Sequence, residues 1–270
     1  MAVAIQSVST NAMGTGGVLT KPTGLAVGDV LLAIVVAESV ADLAAPGGWT
    51  AVNNRNNANY AKAAAFIKTA DASDVAASNF TFTGTDIQGG ILYRITGGAM
   101  SLASWVDGTN TPPVNSTSHV FVFNFAGDNG GRTVSYSSYS ITGGATPVFT
   151  ERLDSSENTG GFTTCFGVAD GAYSSSAAIT DKSVTASGAI DENLTALLVL
   201  PAQADGLGTN ALHSVSPTHF AQAGSGGTTG TNTLLAVSPT MLDQSGHGGA
   251  APTVWTPEVK TATTWTPELK

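Results

Sequence analysis

Four histidines, one cysteine and a scatter of acidic residues are the side chains here with the most to offer chemically. A serine nucleophile needs a base and an orienting carboxylate, and the bases on offer are His119, His213, His219 and His247. His119 opens a Phe-rich run, where a histidine is ordinarily a satisfied core or edge residue. The other three fall in a low-complexity repeat, and none has a histidine at the matching position of the other copy; His219 aligns with Met241. A metal site made by duplication would repeat its ligand, so these three are not read as ligands. No G-x-S-x-G elbow occurs.

Glycoside hydrolysis needs two carboxylates about 5 Å or about 6.5–9.5 Å apart. Asp29, Asp86, Asp107, Asp128, Glu151, Asp154, Glu157 and Asp170 are available, but most lie in turn-like contexts, where such a residue caps backbone. Asp128-Asn129-Gly130 lacks the rest of an EF-hand loop. Gly14, Gly16 and Gly17 lack the Lys of a phosphate loop and read as a turn. Cys165 lies in an alternating segment and reads as a small residue beside the core. Trp105, with Asp107 and Asn110 nearby, is the best candidate for a glycan-binding patch; the alternative is that Trp105 packs under a loop. No catalytic, cofactor or metal residue is assigned, and the chain is not expected to be an enzyme.

The elements that would position these residues are strands. Leu31 to Val36 is a continuous β-branched apolar run. Asn79 to Thr83 alternates, as do Ile91, Tyr93 and Ile95, then Phe121, Phe123 and Phe125, then Phe162 to Val168; Leu194 to Leu200 closes the series. Ala61 to Ala72 is rich in helix formers but is read as a strand around Ala64 to Ile67. Pro46-Gly47-Gly48, Asn53-Asn54, Gly97-Gly98, Pro112-Pro113, Gly143-Gly144 and Gly160-Gly161 punctuate the runs. Two halves resemble each other: Gly28–Ala37 matches His119–Ala126, Pro46–Thr50 matches Pro147–Thr150, Lys68–Asp71 matches Val168–Gly171, and the strand at Ile91 matches that at Leu194. The expected fold is all-β: a jelly-roll-like two-sheet sandwich with internal pseudo-symmetry over residues 22–202, preceded by an arm or first strand at 1–21.

Beyond 202 the texture changes. A linker over 203–250 holds a tandem repeat of period 22, Gly208–Gly227 and Gly230–Gly249, with no Asp, Glu, Lys or Arg between Gly206 and Leu242. Ser216-Pro217 and Ser238-Pro239 have the grammar of two short helix starts, ended by Gly224 and Gly246. Helices of about two turns do not persist alone and must dock. Residues 251–270 repeat Trp-Thr-Pro-Glu, at Trp255 and Trp265, with Pro257 and Pro267 enforcing extended backbone. This C-terminal arm is expected to bind partners through Trp255, Pro257, Trp265, Pro267, Pro217, Phe220, Pro239 and Leu242.

Composition bounds the rest. Of 270 residues 42% are hydrophobic, enough for a core, and only 11% are charged. A net charge of −9 with ten scattered Lys and Arg argues against nucleic acid as a partner. One cysteine excludes a disulfide scaffold. Residues 1–20 lack the basic start and apolar stretch of a secretory signal, and Leu31–Ala37 is too short to cross a bilayer. Assembly in the cytoplasm, away from membranes, is expected.

Lys21-Pro22-Thr23-Gly24, Gly28–Ala33, Pro46–Thr50, Lys68–Ala70, Phe80–Thr83, Pro147–Arg152 and Leu200-Pro201-Ala202 together resemble a β-sandwich domain frequent in tailed-phage and prophage proteins. The Trp-Thr-Pro repeats resemble short tails on phage virion proteins. The resemblance covers about residues 20–202 and implies a virion component, without catalytic residues to carry over. A capsid decoration protein is expected, with other virion proteins and copies of itself as partners. The alternative is a tail-associated or receptor-binding virion protein that takes a surface glycan.

Overall fold

The computed structural model describes residues 2–39, 41–57, 61–100, 103–106, 114–159 and 161–203. The chain divides into a unit of Met1–Asn210 and a unit of Ala211–Lys270, and every described residue belongs to the first. Its elements are β1 Ala4–Asn11, β2 Val18–Thr20, β3 Val30–Ala37, β4 Thr50–Asn57, β5 Ala61–Thr69, α1 Ala72–Ala76, β6 Asn79–Thr81, β7 Ile87–Thr96, β8 Ser104–Val106, β9 Ser118–Asp128, β10 Tyr136–Thr142, β11 Thr150–Thr159, β12 Phe162–Tyr173, β13 Asp181–Ala186 and β14 Glu192–Leu200.

The fold is all-β. Two five-stranded antiparallel sheets, ordered β1-β7-β3-β5-β4 and β11-β12-β9-β14-β8, share one core. Alternation decides which side chains enter it. Leu32, Ile34 and Val36 of β3, with Ile91, Tyr93 and Ile95 of β7, face Phe121, Phe123 and Phe125 of β9 and Ala196, Leu198 and Leu200 of β14. The intervening residues point outward, and a second layer covers them on each side. Over the first sheet, Leu31, Ala33, Val35 and Phe66 meet Leu19, Leu43, Phe80 and Phe82 around the β2–β6 pair. Over the second, Val120, Val122, Leu197 and Val199 meet Ile141, Tyr173 and Ile179 near the β10–β13 pair. Being covered on both faces explains why β3 and β9 read as near-continuous apolar runs.

The two large sheets have the same plan. Read from one edge, each has the first strand of its half, the last, the central strand, then a hairpin: β1-β7-β3-β5-β4 against β8-β14-β9-β12-β11. Each hairpin carries a bulge at the same place, at Val52 between Ala51 and Asn53, and at Arg152 between Glu151 and Leu153. The ladders then match Leu32 with Phe121, Ala65 with Val168 and Leu92 with Leu197. A jelly roll threads its strands through two sheets in paired Greek keys; here each half of the body supplies one whole large sheet. The ladders align Lys68 with Gly171, three residues from the pairing read in the sequence, because the chain is longer before β12.

Several elements depart from expectation. Of the two alternatives for the segment before residue 22, an arm or a first strand, it is strand: β1 pairs along β7, and the short β2 pairs with β6. Asn53-Asn54 is no turn but the middle of edge strand β4. After β5 the chain forms the five-residue α1, capped by Asp71, which accepts from the N–H groups of Ser73 and Asp74 while Asp74 accepts from Asp71 N–H.

Candidate functional site

A cluster of buried charge lies beside the shared core. His119 is the second residue of β9 and points inward with Phe121. Asp170 pairs with Phe121 and Thr150 on neighbouring strands. The β11 bulge turns Arg152 onto the same carboxylate. Asp170 is 2% exposed. Its Oδ1 lies 2.7 Å from His119 Nε2 and accepts from Arg152 Nη2 at 3.2 Å; Oδ2 accepts from Arg152 Nε at 2.5 Å. Tyr93 enters from the opposite sheet, its ring 5.0 Å from that of Phe121.

Burial raises the Asp170 pKa, but the bonds from His119 and Arg152 and their charge outweigh it and hold the carboxyl below its usual range. Bonding to Asp170 raises Arg152 in turn, and burial, then Asp170, push the Tyr93 phenol well up. His119 Nδ1 and Tyr93 Oη are buried with no hydrogen-bond partner among the described residues. The cluster ties β9, β11 and β12 together.

The matching positions in the first sheet show what the fold itself requires. Register places Val30 opposite His119 in the scheme, Ile67 opposite Asp170, and bulge residue Val52 opposite Arg152. An apolar trio thus stands where the second half has an ionic one. Val30 and Ile67, with Thr50, Thr69, Gly98 and Met100, line a cavity of about 530 Å³.

The other candidates are structural. Trp105, only 8% exposed, packs edge-on against Phe123 with centroids 4.7 Å apart, so its indole is not available to a glycan; Asp107 and Asn110 lie outside the described residues. Asp128 Oδ1 accepts from the N–H groups of Gly130 and Arg132, and Oδ2 accepts from Asp191 N–H and pairs with Arg132 at 2.7 Å, which staples a loop. Asp29 caps its turn at Ala26 N–H and pairs with Arg94 at 2.6 Å. Gly17 is required by close packing, since a Cβ there would fall 2.4 Å from Phe82 O. Cys165 is buried under Tyr136 and Val134, and burial pushes its thiol up. His213, His219, His247, Trp255, Pro257, Trp265, Pro267, Pro217, Phe220, Pro239 and Leu242 all lie outside the described residues.

No family model matches this chain, no curated protein matches it, and no solved structure matches its fold.

Proposed function

We propose that the chain is a structural component of a tailed-phage particle, a capsid decoration protein held in place by its C-terminal arm. One observation of the geometry supports this most: a buried charge cluster of the body fastens three of its own strands, with Asp170 bonded by both His119 and Arg152. In this reading the body is held together by its own side chains, and the repeats beyond it are the part of the sequence suited to recur against identical neighbours. In this reading the arm docks through two short helices starting at Pro217 and Pro239, and through the indoles of Trp255 and Trp265. The family resemblance of residues 20–202 and of the Trp-Thr-Pro tail supports the same reading.

The test is mass spectrometry of particles purified from cells that carry this gene, with antibody labelling to locate the chain. A stoichiometric chain on the head is expected, and a version ending at Gln203 should stay in the unbound fraction. Its absence from particles sinks the proposal, and label confined to the tail replaces decoration with a tail role.

A further inference from the structure

The loop after β9 holds the only Asn-Gly pair in the chain, Asn129-Gly130. This dipeptide has a chemistry of its own. The backbone nitrogen of the second residue can attack the side-chain amide carbon of the asparagine, and glycine has no Cβ to stand in the way. Both residues are exposed, so water reaches them.

The structure sets a carboxylate against that reaction. Asp128, the last residue of β9, is fully buried. Its Oδ1 accepts from Gly130 N–H, which carries the attacking nitrogen, at 2.6 Å and from Arg132 N–H at 3.1 Å. Oδ2 accepts from Asp191 N–H at 3.3 Å and pairs with the Arg132 guanidinium, which also reaches Asp191. Gly131 takes φ +71°, and its carbonyl accepts from Asn158 Nδ2 at 2.8 Å. Burial raises the Asp128 pKa, but the N–H groups of Arg132 and Gly130, then the Arg132 side chain, outweigh it and hold the carboxyl below its usual range. The carboxyl is therefore an anion at neutral pH. The Gly130 nitrogen attacks only after losing its proton. A negative nitrogen 2.6 Å from a carboxylate oxygen is opposed by like charge and by the loss of a charge-assisted bond.

The matched halves show that the fold does not ask for a charge here. Counting on from Leu32 and Phe121, Ser39 falls at Asp128. The Ser39 hydroxyl accepts from the N–H two residues on, that of Ala41, at 3.1 Å. A neutral acceptor thus makes the same bond in the half that lacks Asn-Gly.

We propose that Asn129 is a conditional modification site, converting to isoaspartate or aspartate when the loop opens, and that Asp128 holds the reaction off while the loop is closed. In the first step the Gly130 nitrogen gives its proton to solvent and bonds to Asn129 Cγ. A five-membered succinimide closes, and the side-chain nitrogen takes up a proton and leaves as ammonia. In the second step water opens the ring. Breaking the new N–Cγ bond gives aspartate; breaking the original peptide bond leaves the chain running through Cγ as isoaspartate. The sum is amide plus water to acid plus ammonia, with nothing oxidised or reduced. Either product adds a carboxylate beside Asp128 and Asp191, which already share Arg132. Isoaspartate also lengthens the backbone by a carbon, so the change is a lasting record that the loop opened. This inference stands independently of the particle reading.

The test follows the full chain at neutral pH by peptide mapping that separates asparagine, aspartate and isoaspartate at position 129. The same chain in urea supplies the open reference. Conversion in the folded chain should be slower than in urea by roughly tenfold or more. Hydrogen exchange at Gly130 passes through the same amide anion, so NMR should find that amide protected by a similar factor. Asp128→Asn keeps an acceptor and removes the charge. Conversion and Gly130 exchange should both rise severalfold in it, while the amides of Phe121 to Phe125 stay protected. If those amides are lost, the Gly130 exchange of the unaltered chain decides. Asn129→Gln should abolish the product. Any of four results overturns the proposal: conversion as fast folded as in urea, none in urea, Gly130 exchanging at the unfolded rate, or unchanged rates in an Asp128→Asn chain with β9 intact.

Discussion

Asp170, His119 and Arg152 occupy positions that Ile67, Val30 and Val52 fill in the other sheet. The comparison separates what the ionic cluster does from what the position needs. Removing one member of a buried ion pair leaves an uncompensated charge and costs about 3–5 kcal/mol, whereas replacing the whole group by packed apolar residues is often neutral or stabilising. Asp170→Ala should therefore destabilise by roughly that amount in urea unfolding. The combined His119→Val, Arg152→Val, Asp170→Ile variant, which copies the first half, should lie within about 2 kcal/mol of the unaltered chain. A triple variant as damaged as the single one would show that the cluster is needed for more than occupying the space. The cluster also sets a pH dependence. The folded-state carboxyl of Asp170 is depressed, so its contribution is present above the unfolded value, about 3.9, and is lost as pH falls through the lower folded value. Glu151 and Asp154 are shifted the other way, so their protonation in acid relieves strain instead. Urea midpoints from pH 6 down to pH 2.5 should fall steeply only below about pH 4, and Asp170→Asn should flatten that decline.

At the scale of elements, the bulges do the positioning. A single inserted residue on β11 aims Arg152 at Asp170, and one on β10 stacks two tyrosines on Gly167. Gly167→Ala puts a methyl against Tyr136 and Tyr139 Oη, and overpacking of that kind costs about 1–3 kcal/mol. The companion change Tyr139→Ala should recover part of the loss in a double-mutant cycle, and additive effects would argue against the contact. Legibility in the sequence follows the same elements. Central strands β3, β7, β9, β12 and β14 are covered on at least one face, and their apolar residues announce them. Edge strands β4 and β11 read Thr-Ala-Val-Asn-Asn-Arg and Thr-Glu-Arg-Leu-Asp-Ser-Ser, without apolar alternation, because an edge strand is held by its neighbour's hydrogen bonds and is protected by polarity. The ionic trio was hidden for a related reason. Its members sit on three strands, and only the ladder register, including an extra residue invisible as a pattern, brings them together. A signal was nonetheless present: the repeat had been visible, and a strict alignment of its halves would have set His119 against Val30.

Across the whole body, duplication determines how stability is distributed. Each half makes a complete five-stranded sheet with its own outer layer, so hydrogen bonding is nearly self-contained within a half. Burial is not: the inner faces, Leu32, Ile34, Val36, Ile91, Tyr93 and Ile95 on one side and Phe121, Phe123, Phe125, Phe166 and Leu198 on the other, are covered only by each other. Each such side chain is worth about 1.5–3 kcal/mol when fully buried, which exceeds the usual net stability of a domain, about 5–15 kcal/mol, after only a few residues. A half on its own must therefore either unfold or cover that face with another copy. Residues 1–203 should melt in a single calorimetric transition whose van't Hoff and calorimetric enthalpies agree. Residues 1–99 alone should be unfolded at micromolar concentration or form dimers in analytical ultracentrifugation. A stable, folded monomer of residues 1–99 would mean that the sheets are independent domains, and the shared core would then not be the source of the body's cooperativity.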